Sequence, residues 1–168
     1  GLGLAQLDDD AAVEVLVLND ADSVVAFDKT KAPGAFGEGM LHEKFGKNLR
    51  LLSGSYLTGV DVHAADLDGD GRSEVLVSSS PIEPNWQPSE TILDDDGSVL
   101  WREWNEAVSG GNLHGWYNSA TLIPVNPDQD NRIDVLGFRH TSEITFRTWN
   151  GVELVSRPGW PKDFAPEM

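Results

Sequence analysis

The chain has 168 residues, 39% of them hydrophobic, enough for one ordinary domain with a buried core. Its 28 acidic residues outweigh 12 basic ones, for a formal net charge of −16, which argues against nucleic acid as a partner because phosphate binding relies on clustered Lys and Arg. The lack of cysteine excludes disulfides and thiolate metal sites, and no run approaches the ~20 apolar residues of a membrane-spanning helix.

In chain order, the segment opens Gly1-Leu2-Gly3 rather than with Met, and reads as a processed chain or a piece of a longer one. Short runs rich in Val, Ile, Leu and aromatics then alternate with Gly, Asp, Asn and Pro, which is a β pattern. The expected strands are Val13–Leu18, Ser23–Asp28, Gly59–Ala65, Glu74–Ser79, Glu90–Leu93, Ser98–Glu103, Ser119–Val125, Ile133–Phe138, Glu143–Trp149 and Val152–Ser156. Asp96-Gly97 and Asn150-Gly151 each separate two such runs and predict tight hairpin turns. No segment has a sustained helical period, although Gly37–Leu49 is compatible with one short turn of helix. The longest irregular stretches, Ala32–Asn48 and Ser78–Ser89, are candidate binding loops.

One acidic pattern recurs at a spacing of sixty residues: Gln6–Glu14, Asp66–Glu74 and Asn126–Asp134, each followed by an apolar run. A fixed period of this length marks a repeat architecture. Each unit reads as a strand, the acidic loop, a buried strand and a hairpin, so about three four-stranded antiparallel units fill a single all-β domain spanning 1–168. Units of this kind describe β-propeller blades. Propellers close with four to eight blades, so three units predict further blades or other chains that close the ring.

The loop also carries chemistry. Asp66, Asp68 and Asp70 place oxygens at alternate positions, Gly71 permits the turn, the Arg72 carbonyl takes the seventh place and Glu74 the ninth. Oxygen ligands so spaced suit a hard cation such as calcium. The twelfth position is Val77 and the residues after the loop read as a strand, so the loop joins two strands and is no helix–loop–helix site. The copy at Asn126, Asp128, Asp130, the Arg132 carbonyl and Asp134 keeps three carboxylates and has Asn131 at the turn. The copy at Asp8, Asp10 and Glu14 has Gln6 and Ala11 at the first and turn positions and is the most degraded. Bound divalent ions would offset the loop charges, and a cation-free chain should be less stable. The alternative is three acidic turns without an ion. Sites that rely on abundant calcium suit an extracellular or cell-surface setting.

Asp66-Leu67-Asp68-Gly69-Asp70-Gly71-Arg72-Ser73-Glu74-Val75-Leu76-Val77 resembles the calcium loop of FG-GAP/VCBS-type repeats of extracellular β-propellers, and Pro158-Gly159-Trp160-Pro161 is similar to a segment that closes such blades. This resemblance implies calcium and a propeller, but no single activity. A shorter stretch, Ile92–Trp101 followed by His114-Gly115, resembles propeller-type rhamnogalacturonan lyases and departs from them at Trp116-Tyr117-Asn118.

Two functions are expected. The first is a calcium-stabilised binding or scaffold module that contacts a glycan or extracellular protein through its long loops, with Trp86 as an exposed aromatic platform. The second is a polysaccharide lyase, with His114 or Tyr117 as base and Arg139 or His140 meeting the uronic carboxylate. The remaining tryptophans, Trp101, Trp104, Trp116, Trp149 and Trp160, read as packing residues.

Overall fold

The computed structural model describes residues 1–19, 23–28, 42–48, 57–81, 89–104, 121–129, 132–139, 143–160 and 162–163. Among these residues there is no helix, and thirteen strands form three antiparallel sheets. The first sheet holds β1 (Leu2–Ala5), β2 (Glu14–Asn19), β3 (Ser23–Asp28) and β4 (His42–Asn48), in that order. The second holds β5 (Leu57–Ala65), β6 (Glu74–Pro81), β7 (Ser89–Leu93) and β8 (Val99–Trp104). The third holds β9 (Thr121–Val125), β10 (Asp134–Arg139), β11 (Glu143–Trp149) and β12 (Leu154–Ser156), and β13 (Lys162–Asp163) also pairs with β11. Each is a meander in which successive strands are neighbours, so only short connections are needed within a hairpin.

The sheets adjoin along their first strands. β1 packs on β5, and β5 packs on β9, with β2 also against β5 and β6 against β9. Two apolar cores result. Leu7, Leu16, Leu18, Val24 and Ala26 meet Val62, Val75, Val77 and Leu93 between the first and second sheets. Leu67, Leu76 and Ile92 meet Leu122, Val135, Trp149 and Leu154 between the second and third.

Side-chain alternation explains this division. In β6, Val75 and Val77 point to the first core and Leu76 to the second, so all three are buried and the strand reads as one apolar run. β3 is covered on one face only: Val24 and Ala26 are buried, while Val25 and Phe27 are half-buried on the other face. Each fully buried Leu or Ile, such as Leu16, Leu76 or Ile92, contributes about 1.5–3 kcal/mol of transfer free energy. The outward face of the first sheet leaves Leu2 73% and Leu4 63% exposed, and the far edge of the third leaves Val155 45% exposed.

Both expected hairpin turns are present. Gly97 N donates to Asp94 O at 2.9 Å and Asp94 N to Ser98 O at 2.8 Å, which closes the β7–β8 turn. Asn150 N donates to Glu153 O at 3.1 Å, and the Asn150 side-chain oxygen accepts from Val152 N and Glu153 N at 2.9 Å each. The expectation of a helical turn within Gly37–Leu49 fails where it can be compared, because His42–Asn48 is strand β4, paired with β3. Leu2–Ala5, not expected as a strand, forms β1 against β2.

Candidate metal centre

In every sheet the acidic segment is the connection between the first and second strands. Its last acid opens the second strand: Glu14 in β2, Glu74 in β6 and Asp134 in β10. All three are buried, at 0%, 2% and 0% exposure. Glu14 and Glu74 do the same work, each accepting at 2.6 Å from the backbone N–H at the second loop position, Leu7 and Leu67 respectively. That bond ties loop to strand and keeps the leucine turned into its core.

The second loop brings its carboxylates together. Oxygens of Asp66, Asp68 and Asp70 lie within 4.8 Å of one another. Asp66 accepts from Gly69 N at 2.6 Å and Gly71 N at 2.9 Å, and Asp68 and Asp70 accept from the backbone two residues on. Gly71 sits at φ +95°, a conformation that L side chains rarely adopt. Burial, with the Asp68 and Asp66 charges adding to it, pushes the Glu74 carboxyl up to about 7, against the Leu67 N–H bond that pulls it down. Glu74, expected as a ligand, is bonded to Leu67 N and is not grouped with the three aspartates, whose converging oxygens are an arrangement that a hard cation would relieve.

The first loop is closed differently. The Gln6 side-chain amide donates to the carbonyls of Asp8 at 2.6 Å and Asp10 at 2.7 Å, so the amide bridges the loop. No described residue in it has a positive φ. Asp8 and Glu14 are grouped with Asp28, from the end of β3, and not with Asp10. Lys44 of β4 donates to Asp8 Oδ2 at 2.9 Å and to Leu7 O at 2.8 Å. The Asp10 N–H, with Lys44 beside it, holds the Asp8 carboxyl below its usual range.

Among the described residues of the third loop, Gln129 is left-handed, at φ +56°, in the place of Gly69. Asn131 and Asp130 lie outside the described residues. Arg157, just after β12, reaches across to this loop. Its guanidinium lies 3.0 Å from Asp128 Oδ2, 2.8 Å from Asp134 Oδ2 and 3.1 Å from Asp134 Oδ1. Thr148 donates to Asp134 Oδ1 at 2.6 Å. Arg157 holds the Asp128 carboxyl below its usual range. Sixty-residue spacing gives no hint of Asp28, Lys44 or Arg157, because each lies outside the repeated loop. Strand register does supply one: Val15 pairs with Phe27, which puts Glu14 beside Asp28.

The loops are also joined to one another. Arg72 holds Asp9 of the first loop at 3.2 and 3.1 Å and Asp95 of the β7–β8 turn at 2.6 Å. Ser73 N donates to Gln6 O at 2.6 Å, and Gln6 N to Ser73 Oγ at 3.2 Å. A cleft of about 640 Å³ lies between the second loop and the third sheet, lined by Asp68, Arg132, Thr148, Trp149, Asn150 and Val155 among others.

Of the other candidates, Trp86, His114, Tyr117 and His140 lie outside the described residues. Arg139 is the last residue of β10, and its side chain is not described. Three tryptophans are packing residues where they are described. Trp149 is buried in the second core, Trp101 packs against that core under Arg147 at 5.8 Å, and Trp160 meets the Phe146 ring in a tilted contact at 5.7 Å. Trp104 and Trp116 fall outside the described side chains. Comparison of the chain with protein-family models, with curated proteins and with solved structures returned no match.

Proposed function

We propose that this chain is a calcium-stabilised scaffold whose three sheets are blades of a β-propeller, and that its long connections contact a glycan or an extracellular protein. The observation that carries the reading is the convergence of Asp66, Asp68 and Asp70 within 4.8 Å at the β5–β6 connection. The three meanders adjoining along β1, β5 and β9 support the blade arrangement. The exposed Leu2 and Leu4 on the outward face of the first sheet suit cover by a further blade or a second chain. The ion's role here is structural: it would pin a turn between two strands, and the contact surface lies elsewhere.

The test is thermal melting with calcium and with a chelator. Calcium should raise the melting temperature of the wild-type chain and raise it less in Asp68→Ala. Equal melting temperatures with calcium and chelator in both proteins would overturn the proposal.

A further inference from the structure

We infer a second divalent-cation site in the first sheet, built from Asp8, Glu14 and Asp28. It is separate from the second loop and uses a ligand, Asp28, that no acidic repeat contains. Carboxylate oxygens of the three residues lie within 4.8 Å of one another. Two of the three are deeply buried: Glu14 is 0% and Asp28 8% exposed.

Their hydrogen bonding is incomplete. Glu14 Oε2 accepts from Leu7 N, but Glu14 Oε1 and Asp28 Oδ1 are buried with no hydrogen-bond partner among the described residues. Buried carboxylate oxygens are normally paired, hydrogen-bonded or ligated to a metal. Lys44 contacts Asp8 and offsets one of the three charges. Among the described residues no ion pair to Glu14 or Asp28 accompanies it, and a divalent ion would supply that positive charge. All the donors are carboxylate oxygens, which select a hard cation of the calcium type.

The third sheet shows what the equivalent position accepts. There Asp134 takes the place of Glu14, Thr148 lies across the strand pair where Asp28 does, and Asp128 takes the place of Asp8. The Arg157 guanidinium fills that position, bonded to both carboxylates. A positive charge belongs at this junction of loop, second strand and third strand. In the first sheet Lys44 reaches the Asp8 edge of it, and an ion would answer Glu14 and Asp28.

Calcium-dependent melting of four proteins tests this: wild type, Asp28→Asn, Asp68→Asn and the double variant. With the second loop disabled by Asp68→Asn, calcium at about a hundredfold over its Kd should still raise the melting temperature by about 5–10 °C. Asp28→Asn in that background should abolish the rise. No calcium response in Asp68→Asn, or a response that Asp28→Asn leaves intact, overturns the inference; the second loop is unaffected by either result. A response lost in Asp28→Asn alone and kept in full by Asp68→Asn supports this site and removes the proposed one. Asp28→Asn keeps the side chain's size and removes a buried charge, so without calcium it should melt no lower than wild type. A lower value counts against the site.

Discussion

Arg157→Met should destabilise the protein and make it responsive to neutralisation of a single carboxylate. The guanidinium is the cation against Asp134, which is fully buried, at 2.8 Å, and it also holds the more exposed Asp128 at 3.0 Å. Removing one partner of a buried ion pair costs about 3–5 kcal/mol. The expected figure here is lower, about 2–3 kcal/mol, because Arg157 is itself 28% exposed and Thr148 still donates to Asp134 at 2.6 Å. For a chain of this size that is a fall of about 4–12 °C in melting temperature. The assay is thermal unfolding followed by circular dichroism in chelator, on wild type, Arg157→Met, Asp134→Asn and the double variant. Asp134→Asn should recover most of the loss in the Arg157→Met background, since an uncharged amide no longer needs the cation. A double variant as unstable as the sum of the two singles would show that the residues are uncoupled and that Arg157 is not the partner Asp134 depends on.

The same geometry sets two further expectations. Glu74 is raised to about 7 from 4.5, so below about pH 7 the folded state favours its protonated form. Stability should therefore fall as pH rises through that window, by an amount on the order of 2–3 kcal/mol between pH 5 and pH 8; Glu74→Gln should flatten the fall, and an identical slope in that variant would show another group to be responsible. Gly97→Ala should cost about 2–4 kcal/mol, because its φ is +81° and a Cβ there would meet the Phe45 ring at 2.8 Å; a melting temperature equal to wild type would mean that the turn does not press on β4 as described.

Much of the strand pattern is legible in the sequence because it is written in local alternation. Ser23–Asp28 matches its expected bounds to the residue, since Val24 and Ala26 face a core while Val25 and Phe27 do not. The β6 run is legible for the opposite reason: a strand covered on both faces keeps no polar alternation. β4 escapes a local reading because His42-Glu43-Lys44-Phe45-Gly46-Lys47-Asn48 has little β propensity of its own and owes its state to pairing with β3. Leu2–Ala5 is too short and glycine-rich to stand out, yet its pairing with β2 makes it β1.

The site is half legible. Loop spacing identifies Asp66, Asp68, Asp70 and the three buried acids, because a turn and the strand after it are local. It does not reveal which positive group answers each loop. In the first sheet that group is Lys44, on the fourth strand, and in the third it is Arg157, just past the fourth strand. Strand register, rather than spacing, sets Asp28 beside Glu14. Loops alike in sequence thus differ in what meets their acids: a lysine at Asp8 in the first, a guanidinium at Asp128 and Asp134 in the third. In the second, Arg72 turns outward to Asp9 and Asp95 and away from the Asp66–Asp68–Asp70 group.

Calorimetric titration of calcium into the cation-free chain separates the second loop from the third most directly. Asp68→Asn should remove a binding component that Asp128→Asn leaves at wild-type affinity, because Arg157 already answers Asp128. Loss of the same component in Asp128→Asn, or its survival in Asp68→Asn, would show that the second loop is not the calcium site.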